Sequence, residues 1–207
     1  MELKVINLKL NESIPFNEMN KDNSFVFLNQ KKDLGDTIDW NYLGFGRLWA
    51  YNLNYFEFLH QKEMNAQRGK EIIDDFIEQL NSSKVGLEPY PSSLRCINWI
   101  RFFSKHGGNA RYNSVLYKQL LLLKKSKEYH IMGNHLLENG FALLFGAYYF
   151  NDKTFYKEAK GILKSQLDEQ ILDDGGHFEL SPMYHSIMLF RLLDCYNLVV
   201  NNDLFNK

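Results

Sequence analysis

Apolar residues recur at three- and four-residue spacing from about Arg47 onward, and the run is punctuated by Asn81-Ser82-Ser83, Gly107-Gly108-Asn109, Gly133, Asn151-Asp152 and Asp174-Gly175-Gly176. The pattern predicts about seven helices, near 47–62, 67–81, 92–106, 110–128, 135–150, 153–171 and 182–201. Before Trp40 it is mixed, with one strand-like run at Phe25-Val26-Phe27-Leu28. The expected organisation is therefore an irregular lead-in over 1–40 and a helical domain over 41–207. Short loops make successive helices antiparallel neighbours, and no series of strands competes, so the class is all-α.

Two helices are informative by face. On 135–150, Leu137, Phe141, Leu144 and Tyr148 form a core stripe, while His135, Asn139, Ala142 and Gly146 form a narrower small and polar strip that is open to a ligand. The last helix is apolar almost all round, as expected of a helix covered on most sides or awaiting a partner.

Composition narrows the function classes. The 207 residues are 45% hydrophobic and 15% aromatic, enough for one sizeable core. A formal net charge of -1 supplies no basic field for duplex nucleic acid, so nucleic acid is not the expected partner. Cys96 and Cys195 sit among apolar residues and read as small hydrophobes, without a disulfide or metal framework. The first ten residues alternate charged and apolar side chains, and no run reaches membrane-spanning length. On these features the chain reads as soluble and cytoplasmic, with no membrane partner.

Reactive residues gather where helices are expected to begin. In Asp173-Asp174-Gly175-Gly176-His177-Phe178-Glu179-Leu180-Ser181-Pro182-Met183-Tyr184-His185, Ser181 suits an N-cap and Pro182 the first helical position. Tyr184 and His185 then fall in a first turn, where free N–H groups and the helix dipole favour anions. Gly133-Asn134-His135 places an amide beside an imidazole at another helix start, with Asn134 either a plain N-cap or, with His135, a carboxylate ligand. Ser92 is the expected cap of a third helix, with Arg95, Asn98 and Trp99 within about one turn of one another. Trp49, Asn52 and Tyr55 add aromatic and amide groups suited to sugars, although large aromatics also build helical cores. A zinc site from His177, Glu179 and His185 fails the usual spacing, and neither metal nor cofactor is expected. Asp173, Asp174 and Glu179 leave open a glycosidase carboxylate pair or a simple turn.

Four segments together, Leu48-Trp49-Ala50-Tyr51-Asn52-Leu53-Asn54-Tyr55-Phe56, Pro89-Tyr90-Pro91-Ser92-Ser93-Leu94-Arg95-Cys96-Ile97-Asn98-Trp99-Ile100, Asn134-His135-Leu136-Leu137-Glu138-Asn139-Gly140 and Gly175 to His185, resemble the N-terminal domain of the heparinase II/III-like polysaccharide lyases. The resemblance implies an incomplete α/α toroid with a substrate cleft, followed by a β-sandwich domain that this sequence does not include. It implies β-elimination on acidic, uronate-containing polysaccharides of the heparan sulfate or alginate kind. Asn134 and His135 match the residues that hold and neutralise the carboxylate, and Tyr184 matches the tyrosine that protonates the leaving oxygen. Arg95, Asn98, Trp99, Trp49, Asn52, Tyr55, Asn139, Glu179 and His185 are the expected substrate contacts. Relatives commonly complete the site with a His or Tyr from the β-sandwich, and they meet their substrates outside the cytoplasm. Two alternatives stand beside the lyase: a truncated, non-catalytic carbohydrate-binding domain, and a toroid glycoside hydrolase using Asp173 or Glu179.

Overall fold

The computed structural model describes residues 3–14, 17–20 and 23–205. Seven α-helices dominate them: α1 (Arg47–Tyr55), α2 (Ala66–Gln79), α3 (Pro89–His106), α4 (Ala110–Lys125), α5 (Gly133–Phe150), α6 (Lys153–Gln170) and α7 (Pro182–Asn201). The boundaries follow local chemistry. Asn65, Asn109 and Asp152 accept N–H groups from the first turns of α2, α4 and α6, which fixes where each begins. Gly107 at a φ of 77° stops α3, and Asn151 at 49° stops α5.

Helix α5 is the centre of the arrangement. It packs against α3, α4, α6 and α7, and every residue from Leu136 to Phe150 is buried. Beyond His135, the small strip expected to admit a ligand is instead a packing face. Gly146 lets α4 approach so closely that an added Cβ would meet Leu120 Cδ1 at 2.6 Å, while Asn139 bonds inside the protein. Helix α7 is covered on one side only. Met188, Cys195 and Leu198 are buried, whereas Leu189, Leu193, Tyr196 and Val200 share an exposed face.

The lead-in is more ordered than the pattern of residues implies. Strands β1 (Glu18–Met19), β2 (Ser24–Phe27) and β3 (Gln30–Asp33) form an antiparallel meander in the order β1-β2-β3. Phe25 and Phe27 point into the same core as the helices, contacting Phe58 and Trp49, so this segment is part of the helical unit. Among the described residues no helix is long and apolar enough to cross a membrane.

The first helix ends earlier than its periodicity predicts. Phe56 takes a left-handed φ of 61°, and a 3-10 turn follows over Glu57–His60. The non-local aromatic cluster accounts for this: Phe56 stacks on Trp40 with ring centres 4.9 Å apart and meets Phe76 and Trp99 edge-on. The turn delivers His60, whose Nε2 lies 3.1 Å from Asn98 Oδ1, while Asn98 Nδ2 donates to the Tyr55 carbonyl. Burial, then the nearby Arg101, lowers the His60 pKa to about 3.

His60 therefore stays neutral in the folded protein while it protonates in the unfolded chain below about pH 6.5. Its contribution to stability is complete above that pH and is lost as pH falls towards about 3. Urea unfolding across this window should show the decline, and His60→Gln should flatten it; an equally steep decline in the variant would contradict the assignment.

Candidate active site at the converging helix starts

Helices α3, α5 and α7 begin at one end of the bundle. Tyr90 in the first turn of α3 packs on His135 in the first turn of α5, with ring centres 4.5 Å apart. Tyr184 in the first turn of α7 is within electrostatic reach of Tyr90. The loop ahead of α7 also touches the start of α5, because a Cβ added to Gly133 would lie 3.8 Å from Glu179 Oε1. Tyr55, at the end of α1, meets Tyr90 edge-on at 6.2 Å. The result is a polar and aromatic cluster of Asn134, His135, Tyr184, Tyr90 and Tyr55.

The three helix starts, like that of α1 after Gly46, lack the side-chain cap found at α2, α4 and α6. Glu88, Met132 and Ser181, which precede α3, α5 and α7, make no side-chain cap bond. First-turn N–H groups without such a cap favour an anion. Ser181 and Pro182 occupy the predicted cap and first positions, although the Ser181 hydroxyl does not cap. Asn134 is the second helical residue rather than a cap, and Ser92 is buried within α3, because that helix starts earlier, at Pro89.

Burial, followed by the negative potential of Glu138, raises the Tyr90 hydroxyl pKa; burial followed by Tyr51 and Glu138 does the same at Tyr55. Both phenols remain protonated at neutral pH and can donate hydrogen bonds. Tyr51 donates to Glu88 Oε1 at 2.8 Å and extends this wall.

Several expected substrate contacts are placed in the interior. Arg95 is 1% exposed, with its donors taken by Gln119 Oε1 at 2.7 Å, the Gly86 carbonyl at 2.7 Å, Ser92 Oγ at 3.0 Å and the Asn54 carbonyl at 3.3 Å. Burial lowers its pKa to about 10, and it lies over the Phe76 ring. Trp49 and Trp99 are enclosed in the aromatic core, Asn98 is held between His60 and Tyr55, and Asn139 is fully buried. These side chains lie in the interior and bond within the protein. Asn52 is half-buried and donates to the Leu48 carbonyl, while Glu179 and His185 are exposed near the cluster.

The loop before α7 is held by hydrogen bonds and packing. His177 is 2% exposed, pairs with Ile171 in a β-bridge, lies 3.2 Å from Gln170 Oε1 and packs near Tyr184. Asp174 Oδ1 accepts the Gly176 N–H, and Gly175 has a φ of 82°, so Asp173-Asp174-Gly175-Gly176 is a turn. Among the described residues no group of three or more His, Cys, Asp or Glu is placed to hold a metal ion. Cys96 and Cys195 are free and buried.

Other site-shaping residues did not emerge from the residue pattern. Arg191 Nε donates to Glu138 Oε1 at 3.0 Å, and Asp194 pairs with Arg101 at 3.3 Å, linking α7 to α5 and α3. Burial opposes the Arg191 charge, but Glu138 and Asp194 outweigh it and raise its pKa. Burial pushes the Glu138 carboxyl up despite Arg191, and its Oε2 has no partner among the described residues. Arg191 and Asp194 are the only Asp, Glu, Lys or Arg residues on α7, and isolated charges on an apolar helix signal a buried pair.

The fold is all-α, an incomplete α/α toroid. The Heparinase II/III N-terminus family model matches residues 112–207. Among solved structures the chain is similar to a heparan sulfate lyase, HepC from Pedobacter heparinus, with a TM-score of 0.61 and 19% identity. That match covers 81% of this chain and 30% of the lyase chain. No curated protein matches the sequence.

Arg95→Met tests the interior assignment. It should lower the unfolding free energy by about 3 kcal/mol, because several buried carbonyls lose a charged donor, and leave the uronate-oligosaccharide affinity of the folded protein unchanged. Unaltered stability with lost sugar binding would return Arg95 to the ligand.

Proposed function

We propose that this chain is the toroid portion of a polysaccharide lyase that cleaves uronate-containing polysaccharide by β-elimination. The observation that carries the reading is the convergence of His135, Tyr184 and the three helix starts without side-chain caps, with Asn134 adjoining His135. An acidic glycan of the heparan sulfate class is the proposed substrate, in keeping with the fold neighbour being a heparan sulfate lyase.

The chemistry matches the residue types. The C5–H bond of a uronate is a weak acid while its neighbouring carboxylate is ionised, and donors that neutralise that charge stabilise the enolate-like transition state. Asn134, and His135 as an imidazolium, hold the carboxylate at the α5 start, where the helix dipole adds positive potential. The C5–H electron pair forms the C4–C5 double bond as the C4–O4 bond breaks, and Tyr184 protonates O4. The C5 proton goes to Tyr184 as phenolate, or to a His or Tyr supplied by a following β-sandwich domain. Positive potential at Tyr184 comes from the helix starts, and Arg95 lies in the interior. Tyr55 and Tyr90 offer hydroxyl donors and ring faces to the sugar.

Incubation with heparan sulfate, chondroitin and alginate should release product that absorbs in the ultraviolet through its new C4–C5 double bond. Tyr184→Phe should lower that rate about a hundredfold or more with unchanged circular dichroism. Sugar binding without absorbance would leave a glycan-binding domain, and saturated products would point to hydrolysis by Asp173 or Glu179.

A further inference from the structure

Glu128 lies between α4 and α5, is 4% exposed, and faces His135, with Oε1 3.2 Å from Nδ1. Its other oxygen, Oε2, accepts from Asn139 Nδ2 at 3.1 Å. The orientation of Asn139 is fixed independently: its Oδ1 accepts the backbone N–H of Glu128 at 2.9 Å, so its Nδ2 must be a donor. The same Nδ2 donates to Ser93 Oγ at 3.1 Å, and Ser93 donates to the Pro89 carbonyl at 2.8 Å. This chain of bonds has one direction only, and it ends at the residue before Tyr90.

A carboxylate accepts and does not donate, so the hydrogen between Glu128 and His135 belongs to Nδ1. We infer that Glu128, clamped by Asn139, is a positioning residue that locks neutral His135 in its Nδ1–H tautomer and leaves the lone pair on Nε2. Among the described residues no other bond holds Nε2, and the ring face rests on Tyr90. The orienting partner on one imidazole nitrogen thus sets the chemistry of the other. Neutral His135 can accept a proton from a sugar group at Nε2, and it donates to a carboxylate there only as imidazolium. This consequence for function rests on the proposed reading of His135 as a site residue, but the tautomer does not.

The geometry also dictates what an amide would do at position 128. A glutamine has one acceptor and one donor where the carboxylate has two acceptors, yet it would face two donors, Asn139 Nδ2 and His135 Nδ1. Satisfying Asn139 turns the glutamine NH₂ towards His135, which must then accept at Nδ1 and carry its hydrogen on Nε2.

Long-range ¹H–¹⁵N correlation spectra of the full chain, with the His135 signals assigned through their loss in His135→Gln, read this directly. At a pH where His135 is neutral, the wild type should show a protonated Nδ1 and an unprotonated Nε2, and Glu128→Gln should exchange the two. An Nε2–H pattern in the wild type overturns the inference, as does an unchanged Nδ1–H pattern in folded Glu128→Gln. The wild-type spectrum decides even if the variant does not fold. An Nδ1–H tautomer in a protein that makes no unsaturated product supports this inference and counts against the lyase reading alone.

Discussion

Arg191 and Glu138 meet in an interior that excludes most water, and the relation between α5 and α7 depends on that contact. Glu138 lies one helical turn beyond His135, and Arg191 lies two turns beyond Tyr184 on its own helix. Fixing one pair of side chains therefore sets the register of the other. Burying two charges is costly, and such a pair contributes more to a unique arrangement than to net stability. Removing one partner would leave the other charge buried alone, so the register resists change. Asp194 and Arg101 repeat the device between α7 and α3, which brings the third helix start to the same end.

Around that frame the helix starts differ in hydrogen bonding. At the starts of α2, α4 and α6 a side chain of Asn65, Asn109 or Asp152 satisfies the first-turn N–H groups. At the starts of α3, α5 and α7 no cap side chain does so, and there His135, Tyr90 and Tyr184 gather. On the proposed reading, uncapped helix starts and phenol hydroxyls there donate to the carboxylate and hydroxyl oxygens of the ligand. Asn98, Arg95 and Asn139 use their hydrogen bonds internally.

Much of the helical frame could be read from residues because its punctuation is local: asparagine caps, glycine stops and Ser-Pro starts act within a few positions. The break at Phe56 could not, because the rings that hold it, Trp40, Phe76 and Trp99, come from elsewhere in the chain. Arg95 misled for the same reason. An arginine on a helix reads as exposed, but its acceptors are carbonyls of Gly86 and Asn54, which no spacing rule places beside it. Asn134, His135 and Tyr184 were visible as reactive types at helix starts. Glu128 was not, since it follows a lysine-rich helix end that resembles a solvated loop, and only the fold sets it against His135. Arg191 and Glu138 carried a usable signal, as lone charges on apolar helices.

A crystal structure of Tyr184→Phe with a uronate-containing oligosaccharide tests the central claim most directly, because it shows where the acidic sugar lies. The account predicts the uronate carboxylate against Asn134 and His135 at the start of α5, with O4 directed at the ring in position 184 and Tyr90 beside the sugar. An oligosaccharide seated away from the starts of α3, α5 and α7, or with its carboxylate turned from Asn134 and His135, would contradict it.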